Sequence, residues 1–390
     1  MTLTEQIHDT PTKAVLIITG GGTEVLPMLL KRGGGSATLL SAVVPYCEAE
    51  SAQLLGAMPE KMVSEQTTRQ LAMAAYQKAL ALSDGKTPVI GVTSSSALQK
   101  TPEEREGRVH HIFAALQTGM RTVSLSLTID PAKLTWEWHH QPIKPTAYDI
   151  REWEEEVNAR MILRLVAEGC GVRSDETQGP IHKDLVRRES TIYCGYFPDL
   201  LAGKVKALVY TPGEGVWLPL DHGIDEVKFL LPGSFNPAHP AHNEMAEYVE
   251  KATGCYRVDY ELSIRNADKP LLDFITLEER LATVGNRRVW ITNAPTFVAK
   301  AQTFPGISFL VGYDTAVRIL NPKYAGDIDS VLSVFESTNV RFVVFGREIN
   351  GVYHAGLDGL PKRFTDLCTE VIEPLHFCSV SSTGIRSAEK

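Results

Sequence analysis

Two histidines three residues apart follow a short, largely apolar run in the second half of the chain. Residues 233–242 have the sequence G-S-F-N-P-A-H-P-A-H and come directly after the strand-like residues 227–231. A strand, a glycine-containing turn and a polar loop that opens a helix is the order in which α/β proteins present donors to phosphates. Gly233 would allow close approach to a ligand because it has no Cβ. Two imidazoles, His239 and His242, beside free N–H groups would suit phosphate oxygens.

A structural turn with a capping histidine is the alternative interpretation of this segment. A His-x-x-His spacing alone is more often incidental than functional. A metal site is favoured still less, because no third group of ligands lies at a fixed spacing from the two histidines.

A second helix start of the same kind lies near the end of the sequence. Residues 381–386 are S-S-T-G-I-R. Ser382 and Thr383 would bring hydroxyls and free N–H groups to the helix start, and Arg386 would add a bidentate donor one turn later. A plain Ser/Thr N-cap is the simpler alternative. Two such starts in one domain favour a phosphate site over coincidence.

Together these residues resemble the nucleotidylyltransferase superfamily, whose signatures are G-x-F-x-P-x-H-x-G-H and I-S-S-T-x-I-R. Within it the likeness is closest to the nicotinamide mononucleotide adenylyltransferases. Residues 266–270, N-A-D-K-P, resemble the family's lysine-containing loop, E-E-R at 278–280 its following helix, and residues 309–315, F-L-V-G-Y-D-T, its Gly-x-Asp strand end. The resemblance covers about residues 227–390 and implies a Rossmann-like domain with a parallel sheet.

The activity implied by this resemblance is transfer of AMP from ATP to a phosphate-bearing acceptor, with nicotinamide mononucleotide as the first candidate. Pyrophosphate leaves, and the cofactors are ATP and Mg²⁺. No protein nucleophile is needed, so catalysis is positioning and charge neutralisation.

The resemblance also assigns roles to individual residues. The catalytic set is His239, His242 and Arg386. The nucleotide-binding set is Gly233, Ser234, Phe235, Lys269, Gly312, Asp314, Arg347, Ser382 and Thr383. A strand-end cap is an equally good interpretation of Asp314. Ala241 stands where the family has glycine, so an extra methyl is expected near the nucleotide.

The first half of the chain predicts a layered α/β domain over residues 1–170. Strand-like runs at 14–18, 89–92 and 122–127 alternate with a helical stretch at 64–82. A second helix is predicted to begin with Asp149 as N-cap and to end with Gly169 as the C′ residue.

This half resembles the carboxy-terminal domain of the CinA family, whose active members are nicotinamide-nucleotide amidohydrolases. The likeness lies in V-V-P-Y at 43–46, M-V-S-E-Q at 62–66 and G-V-T at 91–93. The family's serine in E-S-C-T-G-G and its activating lysine in Y-S-N-E-A-K are replaced here by Thr19 and Ser51. Without the lysine no base is evident, so the domain is predicted to be inactive. It would then bind a ligand through Tyr46 and Thr93, or serve only for dimerisation or stability, which leaves a homo-oligomer open.

Length, charge and cysteine usage bound the remaining possibilities. The 390 residues suggest two domains, with residues 171–226 as a connector and 227–390 as the second domain. A net charge of −8 argues against nucleic-acid partners and a basic membrane-docking surface. Six scattered cysteines without a C-x-x-C pair suit a reducing compartment. With no signal-like or membrane-spanning apolar segment, we expect a cytoplasmic protein whose partners are small nucleotides.

Three functional hypotheses follow. The first is a nucleotidylyltransferase centred on His239 and Arg386. The second is a nicotinamide-nucleotide amidohydrolase in the first half. The third is a non-catalytic nucleotide-binding protein, suggested by Ala241 and by the altered first domain.

Overall fold

The chain divides into two compact units. The structure, a computed structural model, describes residues 1–102, 104–134, 136–138, 141–174, 186–193, 195–211, 217–220, 224–254, 256–265, 271–349, 351–372 and 384–385. The first unit comprises Met1–Cys194 with Asp268–Thr276, and the second comprises Gly195–Ala267 with Leu277–Lys390.

The first unit is a mixed sheet with helices packed on it. Its helices are α1 (Leu3–His8), α2 (Val25–Leu30), α3 (Glu48–Leu55), α4 (Glu65–Leu82) and α5 (Ala147–Gly169). Its strands are β1 (Lys13–Thr19), β2 (Leu39–Val43), β3 (Val89–Ala97), β4 (His110–Gln117), β5 (Arg121–Ile129), β6 (Trp136–Trp138), β7 (Gln141–Ile143) and β8 (Arg187–Ile192). The sheet order is β2-β1-β3-β4-β5-β8, parallel on both sides of β1 and antiparallel from β3 to β8, and β6 and β7 form a separate hairpin.

Strand β1 is covered on both faces, as its uninterrupted apolar sequence suggests. Because side chains alternate along a strand, Leu16 and Ile18 join the core formed with α5. Val15 and Ile17 are equally buried and point to the other side of the sheet, where α4 contacts β1. The predicted α/β layering of this half is confirmed.

Helix α5 begins and ends at other residues than the sequence analysis predicts. Thr146 is the N-cap, and Asp149 occupies the third helical position and completes the capping box. The threonine hydroxyl accepts from the Asp149 N–H while the carboxylate accepts from the Thr146 N–H, so the N-cap lies three residues earlier than predicted. Gly169 is the last helical residue, and the left-handed position is taken by Gly171 (φ 72°).

The second unit is built on a larger sheet. Its helices are α6 (Phe197–Leu201), α7 (Pro240–Thr253), α8 (Phe274–Leu281), α9 (Phe297–Thr303), α10 (Tyr313–Ile319), α11 (Pro322–Ala325), α12 (Ile328–Ser337) and α13 (Lys362–Thr365), of which the first residues of α8 are grouped with the first unit. Its strands are β9 (Ala207–Tyr210), β10 (Trp217–Pro219), β11 (Phe229–Pro232), β12 (Val258–Ser263), β13 (Val289–Thr292), β14 (Ser308–Gly312), β15 (Arg341–Phe345), β16 (Arg347–Ile349), β17 (Val352–His354) and β18 (Cys368–Val371).

The parallel strands of this sheet have a Rossmann-type order. They run β13-β12-β11-β14-β15-β18, which is 3-2-1-4-5-6 in chain order. The direction of strand addition therefore reverses between β11 and β14. Strands β9 and β10 extend the β13 edge in antiparallel fashion. The predicted parallel sheet is confirmed.

The units divide the chain differently from the predicted boundaries at 170 and 226. The described part of the predicted connector is not a separate element, because β8 pairs with β5 of the first sheet and β9 pairs with β13 of the second. The first unit also includes a segment from the predicted second domain. There, buried Asp273 accepts a hydrogen bond from Arg69 at 3.0 Å.

Among the described helices, none is both long and apolar enough to cross a membrane.

Candidate functional site

Three parallel strands end at one edge of the second sheet, and each is followed by residues singled out in the sequence. The loop 233–239 follows β11, Gly312 ends β14, and Arg347 comes shortly after β15. Strands β11 and β14 are the neighbours between which the strand order reverses. In open α/β sheets this crevice at the carboxyl ends is where ligands bind.

Phe235 anchors the loop from below. Its ring is fully buried, stacks on Tyr260 with centroids 4.8 Å apart, and meets the ring of His242 edge-on at 5.0 Å. A Cβ on Gly233 would lie 2.7 Å from this ring. Gly233 is therefore needed for the packing of Phe235, whereas the sequence suggested close approach of a ligand. Phe235 itself supports His242 from the core.

The two histidines lie against each other at the start of α7. Their ring centroids are 3.7 Å apart, and His239 is the N-cap residue. The backbone N–H of His239 donates to Nδ1 of His242 at 3.1 Å. A neutral imidazole whose Nδ1 accepts a hydrogen bond carries its proton on Nε2. His242 is thereby set as an Nε2–H donor.

The pKa of each histidine is lowered from its usual value. Burial, followed by the charges of His239 and Arg347, lowers the pKa of His242 to about 3. Burial and then the Arg347 charge also lower the pKa of His239 below its usual value. Nδ1 of His239 is buried and has no hydrogen-bond partner among the described residues. Since Arg347 acts on both rings, its guanidinium lies near the histidine pair.

Arg347 also forms an ion pair with Asp314, with 3.1 Å between Nη1 and Oδ1. Gly312 makes room for this pair, because a Cβ there would lie 2.9 Å from Oδ1 of Asp314. His354 is opposite Arg347 in the β16–β17 ladder and stacks on Tyr313 at 5.0 Å. An ion pair and a ring stack thus join the hairpin to the first residues of α10, which directly follow β14.

The structure brings part of the predicted site together. His239, His242, Gly312, Asp314 and Arg347 meet at the carboxyl edge of the sheet, and Gly233, Ser234 and Phe235 form the loop beneath the histidines. The predicted residues Lys269, Ser382, Thr383 and Arg386 lie outside the described residues.

Ala241, the departure from the family pattern, has only 8% of its surface exposed. The protein therefore covers most of this residue, which carries the methyl group that the family's glycine lacks.

One residue of α8 and one just after its end contact the histidine loop, and the sequence assigns neither of them a role. Arg280 Nη1 donates to the carbonyl of Ser234 at 3.1 Å, and the Thr283 hydroxyl accepts from the N–H of Ala238 at 2.9 Å. The E-E-R run marks the helix that carries Arg280, but nothing in the spacing of the sequence indicates that Thr283 faces the loop.

The first unit has its own polar residues, within β3 and in the segments that follow β1 and β2. Thr93 is buried and donates to the carbonyl of Thr68, whereas Tyr46 is 84% exposed. The backbone N–H groups of Gly22 and Thr23 both donate to the carboxylate of Glu155, at 2.8 and 2.7 Å. The glycine-rich turn is therefore occupied by a side chain of the same unit.

Comparison with known proteins gives one relative at the sequence level. No family model matches the chain. A curated protein of Schizosaccharomyces pombe, described as "Putative nicotinamide mononucleotide adenylyltransferase", is 32% identical over 143 residues. The match covers 33% of this chain and 56% of the relative, so the chain spans about half the length of the curated protein it matches.

Solved structures of competence-damage proteins resemble part of the chain. The competence/damage inducible protein CihA from Agrobacterium tumefaciens has a TM-score of 0.28 and 16% identity, and covers 42% of this chain and 93% of its own. The competence or damage-inducible protein from Enterobacter asburiae has a TM-score of 0.27 and 15% identity, over 43% and 94%. Both scores are below the level at which a shared fold follows.

Proposed function

We propose that this protein is a nucleotidylyltransferase that transfers AMP from ATP to a phosphate-bearing acceptor and releases pyrophosphate. The observation that carries the proposal is the convergence of His239, His242, Asp314 and Arg347 where the 3-2-1-4-5-6 strand order reverses. The relative described as an adenylyltransferase supports the same class of reaction.

The chemistry needs donors aimed at phosphate oxygens and no protein nucleophile. His242 offers its Nε2–H, fixed by the bond from the His239 backbone, and a neutral donor brings no charge of its own. Arg347 supplies the positive charge, and its fork can bind two phosphate oxygens. Charge that develops on the oxygens between the α and β phosphorus atoms is stabilised by these fixed donors. Arg386, Ser382, Thr383 and Lys269 are proposed as further phosphate contacts.

Magnesium fits this arrangement only as a partner of the phosphates. Within the described ranges, no group of three or more His, Cys, Asp or Glu residues could hold a metal ion. Mg²⁺ keeps several of its waters and takes few protein ligands when it accompanies nucleotide phosphates. It would supply charge neutralisation of the leaving pyrophosphate.

Nicotinamide mononucleotide is the proposed acceptor, supported by the description of the yeast relative. A cytoplasmic location and small nucleotides as partners belong to the same proposal. The first unit has no hydrolytic role in it, because Ser51 stands where the family has its activating lysine, and the amides of the glycine-rich turn at Gly22 and Thr23 are bonded to Glu155.

The test is a panel of acceptors with MgATP. Nicotinamide mononucleotide, nicotinate mononucleotide, phosphopantetheine and flavin mononucleotide are each incubated with the full chain, and pyrophosphate and ammonia are both measured. We expect pyrophosphate with nicotinamide mononucleotide and no ammonia. Absence of pyrophosphate with every acceptor contradicts the proposal. Tight ATP binding without turnover would identify a nucleotide-binding protein, and ammonia release would identify an amidohydrolase.

A further inference from the structure

The loop that carries the histidines contains a residue in an unfavourable backbone conformation. Phe235 has φ of 42°, in the left-handed region that side chains with a Cβ rarely adopt. Such a residue typically costs about 1–3 kcal/mol and persists only where its surroundings hold it. The buried stack of its ring on Tyr260 holds one side of the loop. The backbone that follows Phe235 needs a second support.

That support comes from the carboxyl end of α8 and the residues just after it. The Thr283 hydroxyl accepts from the Ala238 N–H at 2.9 Å and donates to the Arg280 carbonyl at 2.7 Å, so both of its roles are used within the unit. Arg280 is 7% exposed, and its Nη1 donates to the Ser234 carbonyl at 3.1 Å. The two hydrogen bonds hold the loop on both sides of Phe235, at Ser234 and at Ala238.

The bond to Ala238 bears directly on His242. The next backbone N–H along the chain is that of His239, which donates to Nδ1 of His242. A peptide that is free to rotate at Ala238 would turn the His239 N–H away from the ring. His242 could then place its proton on Nδ1, which would present a lone pair instead of an N–H at the site.

We propose that Thr283 and Arg280 are positioning residues, which hold the histidine loop so that His242 presents its Nε2–H to the phosphates. Both residues contact the loop, and the effect proposed for them on the nucleotide passes through the loop. This inference rests on the proposed function for its effect on turnover. Its structural part, the tautomer of His242, is independent of turnover.

The test compares Thr283→Val with Thr283→Ser in the full chain. Valine keeps the shape and removes the hydroxyl, and serine keeps the hydroxyl. We expect Thr283→Val to lower kcat roughly ten- to hundred-fold, the scale of a small misplacement at a reacting centre, with the KM for ATP within about twofold. Thr283→Ser should keep most of kcat. Thr253→Val is the matched control, because that hydroxyl lies at the opposite end of α7 from the histidines and donates to the carbonyls of Val249 and Glu250 in its own helix.

The second readout is the ¹⁵N spectrum of labelled histidine, with the His242 signals assigned from His242→Gln. The wild type and Thr283→Ser should show an unprotonated Nδ1 and a protonated Nε2 at His242. Thr283→Val should show a mixture of tautomers. For Arg280, Arg280→Lys should retain more kcat than Arg280→Met, because a lysine can still donate to the Ser234 carbonyl.

Two results would overturn the inference. One is a Thr283→Val protein with wild-type kcat and an unchanged His242 tautomer. The other is an equal loss in Thr283→Ser and Thr283→Val, which would make packing and not the hydroxyl the cause. If the wild type itself turns over no acceptor, the proposed function fails, and the ¹⁵N measurement still decides whether Thr283 sets the tautomer.

Discussion

The backbone N–H of His239 donates to Nδ1 of His242 at 3.1 Å, while the two rings stack with their centroids 3.7 Å apart. The backbone of His239 thus determines which ring nitrogen of His242 carries the proton. In the proposed function, the pair acts as a fixed neutral donor and not as two cations, and Arg347 supplies the positive charge of the site. This division of roles makes several predictions.

The His242 ring should not titrate between pH 5 and 8. Its pKa is lowered to about 3, first by burial and then by His239 and Arg347. Histidine-selective NMR across this range, assigned with His242→Gln, should show a flat His242 signal. Because the unfolded chain takes up a proton near pH 6.5 and the folded ring does not, the stability contributed by the neutral ring is present above pH 6.5. It declines as pH falls from 6.5 towards 3. A His242 signal with a midpoint between pH 6 and 7 would refute the neutral-donor role.

Arg347→Met should weaken nucleotide binding and raise the pKa of both histidines. Burial is the main cause of the lowered pKa of both histidines, and the Arg347 guanidinium adds to it in both, so removing that charge takes away its share of the shift. Loss of a charge-assisted contact to phosphate should raise the Kd for ATP by roughly ten- to hundred-fold. Arg341→Met is the control, since Arg341 lies at the other end of strand β15 and donates to the Asp366 carbonyl. If Arg347→Met and Arg341→Met bind ATP with equal affinity, Arg347 does not contact the nucleotide.

Gly233→Ala should destabilise the second unit and distort the histidine pair. The new Cβ would lie 2.7 Å from the Phe235 ring, which is fully buried and has little room to move. Overpacking of this kind costs about 1–3 kcal/mol, measured as the free energy of unfolding in denaturant. Phe235→Leu supplies the matched comparison. In the Phe235→Leu background the glycine substitution should cost much less, because the ring is gone. If the stability losses of Gly233→Ala and Phe235→Leu are additive in the double variant, Gly233 is needed for a reason other than the packing of the Phe235 ring.

Arg69→Met should strongly destabilise the first unit. Arg69 and Asp273 are both buried and 3.0 Å apart, so removing the guanidinium leaves an uncompensated carboxylate in the interior. Breaking a buried pair from one side costs about 3–5 kcal/mol. Arg187→Met, which removes an exposed arginine 3.9 Å from Glu65, should cost less than about 1 kcal/mol. Denaturant unfolding of the full chain measures both. If both substitutions lower the free energy of unfolding by similar small amounts, the Arg69–Asp273 pair adds little to stability.

The sequence predicts the regular strands of both sheets well, because buried strands in parallel sheets are runs of apolar residues. Strands β1, β11, β14 and β15 all come from such runs. Strand β12 lacks this signal because it carries Asp259 and Glu261. Both carboxylates are buried and paired, Glu261 with Lys300 at 2.6 Å and Asp259 with Arg288 at 2.6 Å. Only the folded structure shows that Lys300 and Arg288 lie beside these carboxylates.

In the candidate site, too, residues with a local sequence signal can be predicted, and residues brought in by long-range contacts cannot. His239 and His242 can be found from their spacing after a strand, and Asp314 and Arg347 from the resemblance. Thr283 cannot, because its contact with Ala238 joins residues 45 apart in the chain and follows no pattern of spacing. The grouping of Asp273 with Arg69 is equally hidden, since a separation of 204 residues carries no local signal.

The most direct test is formation of the dinucleotide from MgATP and nicotinamide mononucleotide by wild type, His242→Ala and Glu247→Ala, with product and pyrophosphate measured together. Glu247 is an exposed residue of the same helix and serves as the control. We predict equal amounts of dinucleotide and pyrophosphate, a fall in kcat of roughly 10²–10³-fold in His242→Ala, and wild-type rates in Glu247→Ala. A rate that is unchanged in His242→Ala, or no dinucleotide from the wild type, would contradict the proposed transfer.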